Sequence, residues 1–529
     1  MTLGAALRAA ARDVPRQDAY VYRGRRLSYA EWNELSERAA ASLFARSAAK
    51  GDRVALLLPP RPEYAIGYLA AAKAGLVTTG INPRLADPEI AYVVRDAGAR
   101  FVIAIDRFAG REYAAAIEPL RRELPDLQTV FVVRAESLDW HPSSTAAMPS
   151  PTEPFEALLG EPSSAARARL LELEIAADDP VAIVYTSGTT GQPKGALFAL
   201  RSLEAVSRTR ADMRMGRGER VLAGGTPLAH VGYMSKILGH IEDRQTTVIL
   251  DAFKARTVLE TVEAERITHL GGVPTQWTLL LRDPELDRFD LSSLRGGAIG
   301  GAPFTAELVR DIRRRFRVDL VTRYSANEIA LGTGSRPEDG EELLAETVGR
   351  AASEVEIAIV DEERKRLAVG GVGEVAVRSP AVMVGYWRRP EETAEVLDRD
   401  GWFYTGDLGT LDERGYLRLR GRKKEMYIRG GYNVYPVEVE ARLARHPAVA
   451  QAAVVGVPDP VLGEKGLAVV VLREGARPPS AEEIRDFCRS ALADYKTPDY
   501  VEIRSELPIN AMYKVDKSEL LRQYVDFSR

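Results

Sequence analysis

The sequence has few of the residues that build disulfides and metal sites. A single cysteine, Cys488, occurs among 529 residues, so no disulfide can form within the chain. This scarcity favours a reducing compartment. The five histidines lack the spacing of metal ligands, and with one cysteine they do not predict a structural zinc site.

Long apolar runs and an excess of one charge are also missing. The longest apolar stretches, such as LAVVVL at 467–472, are too short to span a bilayer. Arg8, Arg12 and Asp13 interrupt the N-terminal segment, unlike the apolar region of a signal peptide. The formal net charge of −4 does not indicate a nucleic-acid partner. We expect a cytoplasmic protein with no membrane span and no nucleic-acid partner, and the sequence leaves open whether it forms a homodimer.

The length and the composition are those of a globular protein with more than one domain. Apolar residues make up 45% and charged residues 28% of the chain, both ordinary values. Helical patterns such as 28–47 alternate with strand-like runs such as 52–59. This alternation predicts doubly wound α/β layers. The polar segment 141–165 is predicted to be a surface loop or a linker between two such layers.

The pattern changes after about residue 345. Short strands separated by turn residues predict a small β-rich unit there. Charge and glycine concentrate in 421–436, and a helix–strand–strand–helix set follows it. That set is long enough for an independent α+β domain.

One loop interrupts an apolar run with hydroxyls, glycines and a cation. In VAIVYTSGTTGQPKGAL (181–197), apolar character stops at Tyr185 and resumes at Ala196. Exposed backbone N–H groups, hydroxyls and an ammonium together suit a polyphosphate, although a flexible hairpin loop has the same composition. The Walker pattern is absent. The candidate phosphate-binding residues are Thr186, Ser187, Gly188, Thr189, Thr190 and Lys194.

Further motifs follow this loop in a fixed order: TPLAH (226–230), YSANE (324–328), GWFYTGDLG (401–409), GRKKEMYIRGGYNVYPVEVE (421–440) and LPINAMYK (507–514). Together with YTSGTTGQPKG they resemble the motifs of the adenylate-forming superfamily of acyl-CoA synthetases, adenylation domains and firefly luciferase, over essentially the whole chain. The resemblance implies a large N-terminal domain, 1–421, of two doubly wound α/β subdomains plus a small β-barrel-like unit. A smaller, mobile α+β domain, 422–529, would follow, with a hinge near Lys424.

The resemblance also implies an activity. An ATP-dependent acyl-CoA synthetase activates a carboxylic acid as acyl-AMP, releases pyrophosphate and transfers the acyl group to the thiol of CoA. ATP, Mg²⁺ and CoA would be the cofactors. Such an enzyme positions groups and neutralises charge without a nucleophilic side chain, and the G-x-S-x-G elbow is absent here.

Three alternatives remain open from the sequence. A free-standing adenylation enzyme would load a carrier protein, although we find no phosphopantetheine-type motif in the C-terminal sequence and do not expect an appended carrier domain. A luciferase-like oxygenase would share the first half-reaction. A non-catalytic nucleotide sensor could use the same fold, but it would have no need of a lysine such as Lys514.

By resemblance, the nucleotide site combines residues from two motifs. Asp407 and Arg422 would hold the ribose, Tyr324 would stack on adenine, and Glu328 would bind Mg²⁺ on the phosphates. A hard cation prefers such an oxygen ligand. Without the resemblance, Asp407 would be assigned to an Asx turn, and Arg422 to a solvated run of charges.

The YSANE motif departs from the common Tyr-Gly-x-Thr-Glu pattern. Ser325 replaces the glycine and narrows the space beside the substrate carboxylate. Asn327 replaces the threonine, and its side chain can still hydrogen-bond to a phosphate oxygen. Arg323, which precedes Tyr324, is included in the predicted nucleotide site.

The predicted catalytic residues are Lys514, Glu328, His230 and Thr189. Lys514 would reach the α-phosphate and carboxylate oxygens while negative charge grows during adenylation. Tyr513 replaces the usual glycine before it. His230 would change conformation between the half-reactions, without acting as a general base. Taken alone, His230 would be a structural histidine and Lys514 a surface residue.

Two further groups of residues, both rich in glycine, complete the predicted site. Gly300, Gly301 and Ala302 would allow adenine and the acyl chain to approach the backbone, or would form a strand-to-helix turn. The second group, Gly430, Gly431 and Tyr432, would line a pantetheine tunnel.

The identity of the acid is not fixed by the sequence. Gly232 is small where a bulkier residue would close the pocket, so we expect an acid larger than acetate, either aromatic or medium-chain, and a role in aromatic or fatty acid metabolism. Lys236 lies six residues past His230, a position that faces the substrate ring in plant hydroxycinnamate ligases. It is predicted to pair with a second polar or acidic group, or to line the wall with its stem alone.

Overall fold

A computed structural model describes residues 1–113, 117, 123–124, 126–138, 152–186, 192–210, 216–224, 228–301, 304–510 and 515–527. Within these residues, helices and strands alternate from the start of the chain. The helices up to residue 199 are α1 (Leu3–Asp13), α2 (Tyr29–Ala45), α3 (Pro62–Lys73), α4 (Asp87–Ala97) and α5 (Ser164–Glu172). The strands are β1 (Asp18–Tyr22), β2 (Arg25–Ser28), β3 (Arg53–Leu57), β4 (Val77–Ile81), β5 (Ala99–Ile105), β6 (Arg107–Phe108), β7 (Arg111–Glu112), β8 (Thr129–Val133), β9 (Thr152–Pro154), β10 (Pro180–Tyr185) and β11 (Gly195–Ala199).

The alternation continues to residue 422 with shorter strands. The helices are α6 (Leu200–Thr209), α7 (Val231–Glu242), α8 (Ala255–Glu265), α9 (Pro274–Leu281), α10 (Ala306–Phe316), α11 (Glu341–Glu346) and α12 (Pro390–Val396). The strands are β12 (Arg220–Gly224), β13 (Thr246–Leu250), β14 (His269–Gly272), β15 (Gly296–Ile299), β16 (Asp319–Val321), β17 (Arg323–Tyr324), β18 (Thr333–Gly334), β19 (Arg350–Ala351), β20 (Glu356–Val360), β21 (Gly373–Arg378), β22 (Gly385–Tyr386), β23 (Trp402–Leu411) and β24 (Leu417–Arg422).

The local sequence explains why these elements form where they do. The side chain of Ser28 accepts a bond from the Glu31 N–H, and the Glu31 side chain bonds back to Ser28, so a capping box starts α2. Trp32, Leu35 and Ala39 then recur at helical spacing and are buried.

Two large sheets form the doubly wound layers. The first has eight strands in the order β22-β11-β10-β4-β3-β5-β8-β9, and the second has seven in the order β16-β15-β14-β12-β13-β1-β2. The sheets exchange strands: β1 pairs with β13 in the second sheet, while β10 pairs with β4 in the first. The prediction that 141–165 links two layers is therefore wrong, since β10 and β11 still belong to the first sheet. Residues 139–151 lie outside the described residues.

The β-rich unit consists of two smaller sheets. A three-stranded sheet has the order β17-β18-β19, and a four-stranded antiparallel sheet has the order β20-β21-β23-β24. A bridge between Arg350 and Tyr416 joins them. This unit places the end of β17 beside the middle of β23.

The C-terminal region has its own sheet and its own core. Its elements are β25 (Tyr427–Arg429), β26 (Tyr432–Val434), α13 (Pro436–Leu443), β27 (Val449–Asp459), β28 (Gly463–Leu472), α14 (Ala481–Arg489), β29 (Tyr500–Arg504) and α15 (Lys517–Phe527). The strand order is β26-β25-β28-β27, and β29 also pairs with β28. Apolar residues of α13, α14 and β27 pack together, including Leu443, Val454 and Ile484. The predicted α+β fold of this region is confirmed. Among all the described helices, none has both the length and the apolar character needed to cross a membrane.

Candidate active site

The glycine- and threonine-rich loop joins β10 to β11, which are antiparallel neighbours. The Thr186 N–H donates to the Lys194 carbonyl over 2.9 Å, and the Lys194 N–H donates to Thr186 Oγ1 over 3.3 Å. These bonds close the base of the loop. The Lys194 ammonium lies 5.2 Å from the centre of the Tyr386 ring. The predicted residues of the loop tip lie outside the described residues: Ser187, Gly188, Thr189 and Thr190.

Tyr324, Asp407 and Arg422 form one group that is held by a hydrogen bond and an ion pair. Asp407 and Arg422 are register partners on β23 and β24, with Arg422 Nε 3.2 Å from Asp407 Oδ1. The Tyr324 hydroxyl donates to Asp407 Oδ2 over 2.5 Å. Burial, reinforced by the Asp407 carboxylate, raises the pKa of Tyr324 well above its ordinary value, so the hydroxyl keeps its proton and donates. The residues predicted to bind adenosine therefore do lie together.

Glu328 is held by a residue that the sequence did not identify. The Tyr386 hydroxyl donates to Glu328 Oε1 over 2.9 Å. Burial raises the pKa of Glu328, and the hydrogen bond from Tyr386 opposes that rise. Tyr386 reaches the site because it pairs with Ala196, just beyond the phosphate-type loop. The sequence signal for it, a Gly-Tyr pair after an apolar stretch, is not specific.

The side chains around Glu328 determine how the predicted Mg²⁺ could be bound. Among the described residues there is no group of three or more histidine, cysteine, aspartate or glutamate side chains that could hold a metal. Mg²⁺ commonly binds one or two carboxylates plus substrate phosphates and water. A single half-buried carboxylate near Lys194 and Tyr386 fits a metal that is carried mainly by a nucleotide.

Asn327 has a structural contact that was not expected. Its Nδ2 donates to the Tyr185 carbonyl over 3.0 Å, and its buried Oδ1 has no hydrogen-bond partner. Tyr185 is the last residue of β10, so Asn327 ties the YSANE segment to the start of the phosphate-type loop. Ser325, its neighbour in the motif, is exposed.

His230 caps a helix. Its Nδ1 accepts a hydrogen bond from the Gly232 N–H over 3.1 Å, at the start of α7. The lone pair of this ring nitrogen is therefore engaged by the backbone in this conformation, and the role of His230 between the half-reactions stays a prediction. Tyr64, Ala182 and Met234 line a small cavity with it, between the two large sheets.

The predicted backbone-approach residues follow β15. Gly301 has φ +88°, which disfavours residues with a Cβ. A Cβ at Gly300 would lie 3.7 Å from Thr322 Oγ1, an ordinary contact. The backbone angle thus explains the glycine at Gly301, while a Cβ at Gly300 would make only ordinary contacts, so the role of Gly300 beside a ligand stays a prediction. Ala302 lies outside the described residues.

Gly430 and Gly431 form the turn between β25 and β26. Their φ angles are +58° and +87°, as a two-residue hairpin turn of type I′ requires. Tyr432 follows, is exposed, and stacks on Tyr495 with ring centres 4.7 Å apart. Hairpin geometry is sufficient to explain these glycines, and their role beside pantetheine stays a prediction.

Lys514 lies outside the described residues, with Ala511, Met512 and Tyr513. The two ends of this segment are joined, because Ile509 and Val515 form a β-bridge. Lys517, three residues on, bonds Glu425 over 2.9 Å and Glu440 over 2.8 Å. Lys517, at the start of α15, is thereby anchored next to the predicted hinge.

Arg323 points to a different part of the site from Tyr324. Neighbouring side chains of a strand lie on opposite faces, and Tyr324 faces Asp407. The charge of Arg323 instead acts on Arg210 and Lys236, and it contributes to lowering the pKa of both. Arg323 thus belongs to a cluster of cations as well as to the motif of the nucleotide site.

These features define a class of enzyme. A tyrosine–aspartate–arginine group lies close to a glutamate that accepts a tyrosine hydroxyl and to the base of a phosphate-type loop, as in adenylate-forming enzymes. Residues 7–387 match the family model described as AMP-binding enzyme, and 438–514 match the AMP-binding enzyme C-terminal domain. The chain belongs to the AMP-binding enzyme family, and it is an AMP-forming acid–thiol ligase.

Similar proteins cover almost the whole chain. A Mycobacterium tuberculosis ligase that joins a dioxo-octahydroindenyl propanoyl group to CoA is 37% identical over 98% of both chains. Human medium-chain acyl-CoA ligase ACSF2, which is mitochondrial, is 31% identical over 99% of this chain and 87% of its own. The crystal structure of ATP-bound MatB from Rhodopseudomonas palustris superposes with a TM-score of 0.86 at 30% identity, over 100% of both chains.

Proposed function

We propose that this ligase uses Mg²⁺–ATP to convert a carboxylic acid larger than acetate into its acyl-AMP, and then into its CoA thioester. The observation that carries the proposal is the group of Tyr324, Asp407 and Arg422, with Glu328 four residues beyond Tyr324. The two named relatives act on a medium-chain acyl group and on a ring-bearing propanoyl group, which supports an acid of this size. We further infer a cytoplasmic location, supported by the single, buried cysteine Cys488.

The nucleotide would lie between β17 and β23. The Asp407 carboxylate would accept hydrogen bonds from the ribose diol, while Tyr324 presents its ring to the base. The hydrogen bond between these two residues keeps both in place. Arg422 adds positive charge beside the Asp407 carboxylate.

The triphosphate would extend toward Lys194 and Glu328. Mg²⁺ bound to the phosphates and Glu328 would supply positive charge beside the oxygens that gain negative charge. Tyr386 orients the Glu328 carboxylate through its hydroxyl. Lys194, beside the Tyr386 ring, would contribute a further cation to the phosphates.

The C-terminal domain would serve both half-reactions. Lys514 would bind the α-phosphate and the carboxylate oxygens during adenylation, where charge on the leaving pyrophosphate grows. A rotation near Lys424 would then remove Lys514 and bring the hairpin of Gly430 and Gly431 to the pantetheine of CoA.

The test is a panel of carboxylic acids with ATP, assayed for pyrophosphate and AMP with and without CoA. We expect pyrophosphate with an acid of at least medium length, and a CoA thioester only when CoA is present. Lys514→Ala should lower the adenylation rate by about 10²–10³-fold and spare thioester formation from supplied acyl-AMP. Adenylation without transfer to CoA would favour the carrier-loading alternative, and the absence of pyrophosphate with every acid would favour a nucleotide sensor.

A further inference from the structure

Three cations from separate elements meet beside the acyl end of the site. Lys236 lies on α7, Arg210 directly follows α6, and Arg323 lies on β17. Arg210 Nη2 donates to Ser235 Oγ over 2.9 Å, which holds the guanidinium against α7 next to Lys236. The charges of Arg210 and Arg323 both act on Lys236, so the three groups lie within electrostatic reach of one another.

Two of the three cations have no described carboxylate as an ion-pair partner. Within the described ranges, neither Lys236 nor Arg210 forms an ion pair, and the buried Nε of Arg210 has no hydrogen-bond partner. Burial, followed by repulsion from the other cations, lowers the pKa of Lys236 to about 7 and that of Arg210 to about 9. Burying like charges together is unfavourable unless a counter-charge binds among them.

The cluster is open to solvent at one of its members. Lys236 is exposed, and the surrounding protein and cations lower its pKa. The helix that carries Lys236 has His230 as its N-cap, and Arg323 is the neighbour of Tyr324 in the chain, so the cluster adjoins residues of the nucleotide site.

We propose that the acid carries a second carboxylate, and that Lys236, Arg210 and Arg323 bind it while the first carboxylate is adenylated. This inference rests on the proposed function. A guanidinium binds a carboxylate through parallel N–H bonds, and an ammonium adds a point charge. The preferred substrate is therefore a dicarboxylic acid. An aliphatic monoacid would leave Lys236 and Arg210 without a carboxylate partner from the described residues.

The experiment compares acids of equal length that differ in the second carboxylate: adipate with hexanoate, suberate with octanoate, and terephthalate with benzoate. Initial rates of pyrophosphate release give KM and kcat for each acid. With the wild-type protein, we expect a dicarboxylate to have at least about a 10-fold higher kcat/KM than its partner, the size of a charge-assisted hydrogen bond. Lys236→Met should reverse this preference, mainly through KM.

Matched variants separate the possible results. Lys365→Met removes an exposed lysine from the turn after β20 and should leave the preference unchanged. Arg210→Gln supplies an independent test if Lys236→Met does not fold. It should lower kcat/KM for the dicarboxylate relative to that for the paired monoacid, as Lys236→Met does. A wild-type preference for each monoacid would overturn the inference while leaving the proposed function intact.

The source of the bound anion is tested in the same assays. If the cluster binds a phosphate of ATP or CoA, Lys236→Met raises the KM for that substrate and affects paired acids equally, which overturns the inference. If no acid yields pyrophosphate, the proposed function fails, and the inference that rests on it fails with it.

Discussion

The hydroxyl of Tyr324 and the carboxylate of Asp407 share a hydrogen bond of 2.5 Å, although the two residues lie in different sheets. Tyr324 ends β17 of the three-stranded sheet, and Asp407 lies in β23 of the four-stranded sheet. The bond therefore fixes the ring proposed to contact the base relative to the carboxylate proposed to contact the ribose.

Tyr324→Phe should weaken ATP binding while keeping the aromatic ring. A hydrogen bond to a charged group contributes about 1.5–3 kcal/mol, so the KM for ATP should rise about 10-fold or more, with a smaller change in the KM for the acid. The matched control is Tyr416→Phe, which removes a similar hydroxyl from Asp339, at 2.7 Å. An equal KM for ATP in both variants would contradict the assignment of Asp407 to the nucleotide.

Tyr386→Phe should move the acid limb of the pH–rate profile. Burial raises the pKa of Glu328, and the hydrogen bond from Tyr386 lowers it, so removing the hydroxyl raises that pKa further. Glu328 is then protonated up to a higher pH, and kcat/KM for ATP should begin to fall at a higher pH than in the wild type. Tyr404→Phe, which loses a hydroxyl bond to Asp398, is the control. An acid limb that coincides with that of the wild type would argue against a role for ionised Glu328.

Local sequence patterns predicted the positions of helices and strands better than they predicted which strands pair. The strand-like run 52–59 contains β3, Arg53–Leu57, and the helix expected over 28–47 is α2, Tyr29–Ala45. Periodicity acts over a few residues, so it does not reveal that β1 crosses to pair with β13. The contact of Tyr386 with Glu328 joins residues that are 58 positions apart in the sequence. It could not be predicted from local patterns for the same reason. Asp407 and Arg422 were identified by their motifs, and their pairing follows from the register of β23 and β24.

Lys424→Pro should separate the half-reactions. Lys424 lies between the end of β24 at Arg422 and Glu425, which is bonded to Lys517. A hinge residue absorbs a large change of backbone angle, and proline fixes φ near −65°. We expect acyl-AMP formation near the wild-type rate and loss of CoA transfer. Lys424→Ala, which keeps backbone freedom, should retain both activities. Equal loss of both half-reactions in the proline variant would contradict the rotation.

The pH dependence of KM should differ between dicarboxylates and monoacids, because Lys236 titrates near neutrality. Its pKa is lowered from 10.5 to about 7 by burial and by Arg210 and Arg323. The unfolded chain therefore binds more protons between these values, so this group makes the free fold more stable as pH rises through that window. A bound second carboxylate stabilises the protonated ammonium and raises its pKa, so binding takes up a proton.

Above pH 7, the KM for a dicarboxylate such as adipate should therefore rise, by up to about 10-fold per pH unit for one proton. The KM for hexanoate should not follow this trend, because it has no group that reaches Lys236. Lys236→Arg keeps the charge across this range and should flatten the adipate profile while preserving the preference for adipate. Parallel profiles for adipate and hexanoate in the wild-type protein would show that Lys236 does not bind the second carboxylate.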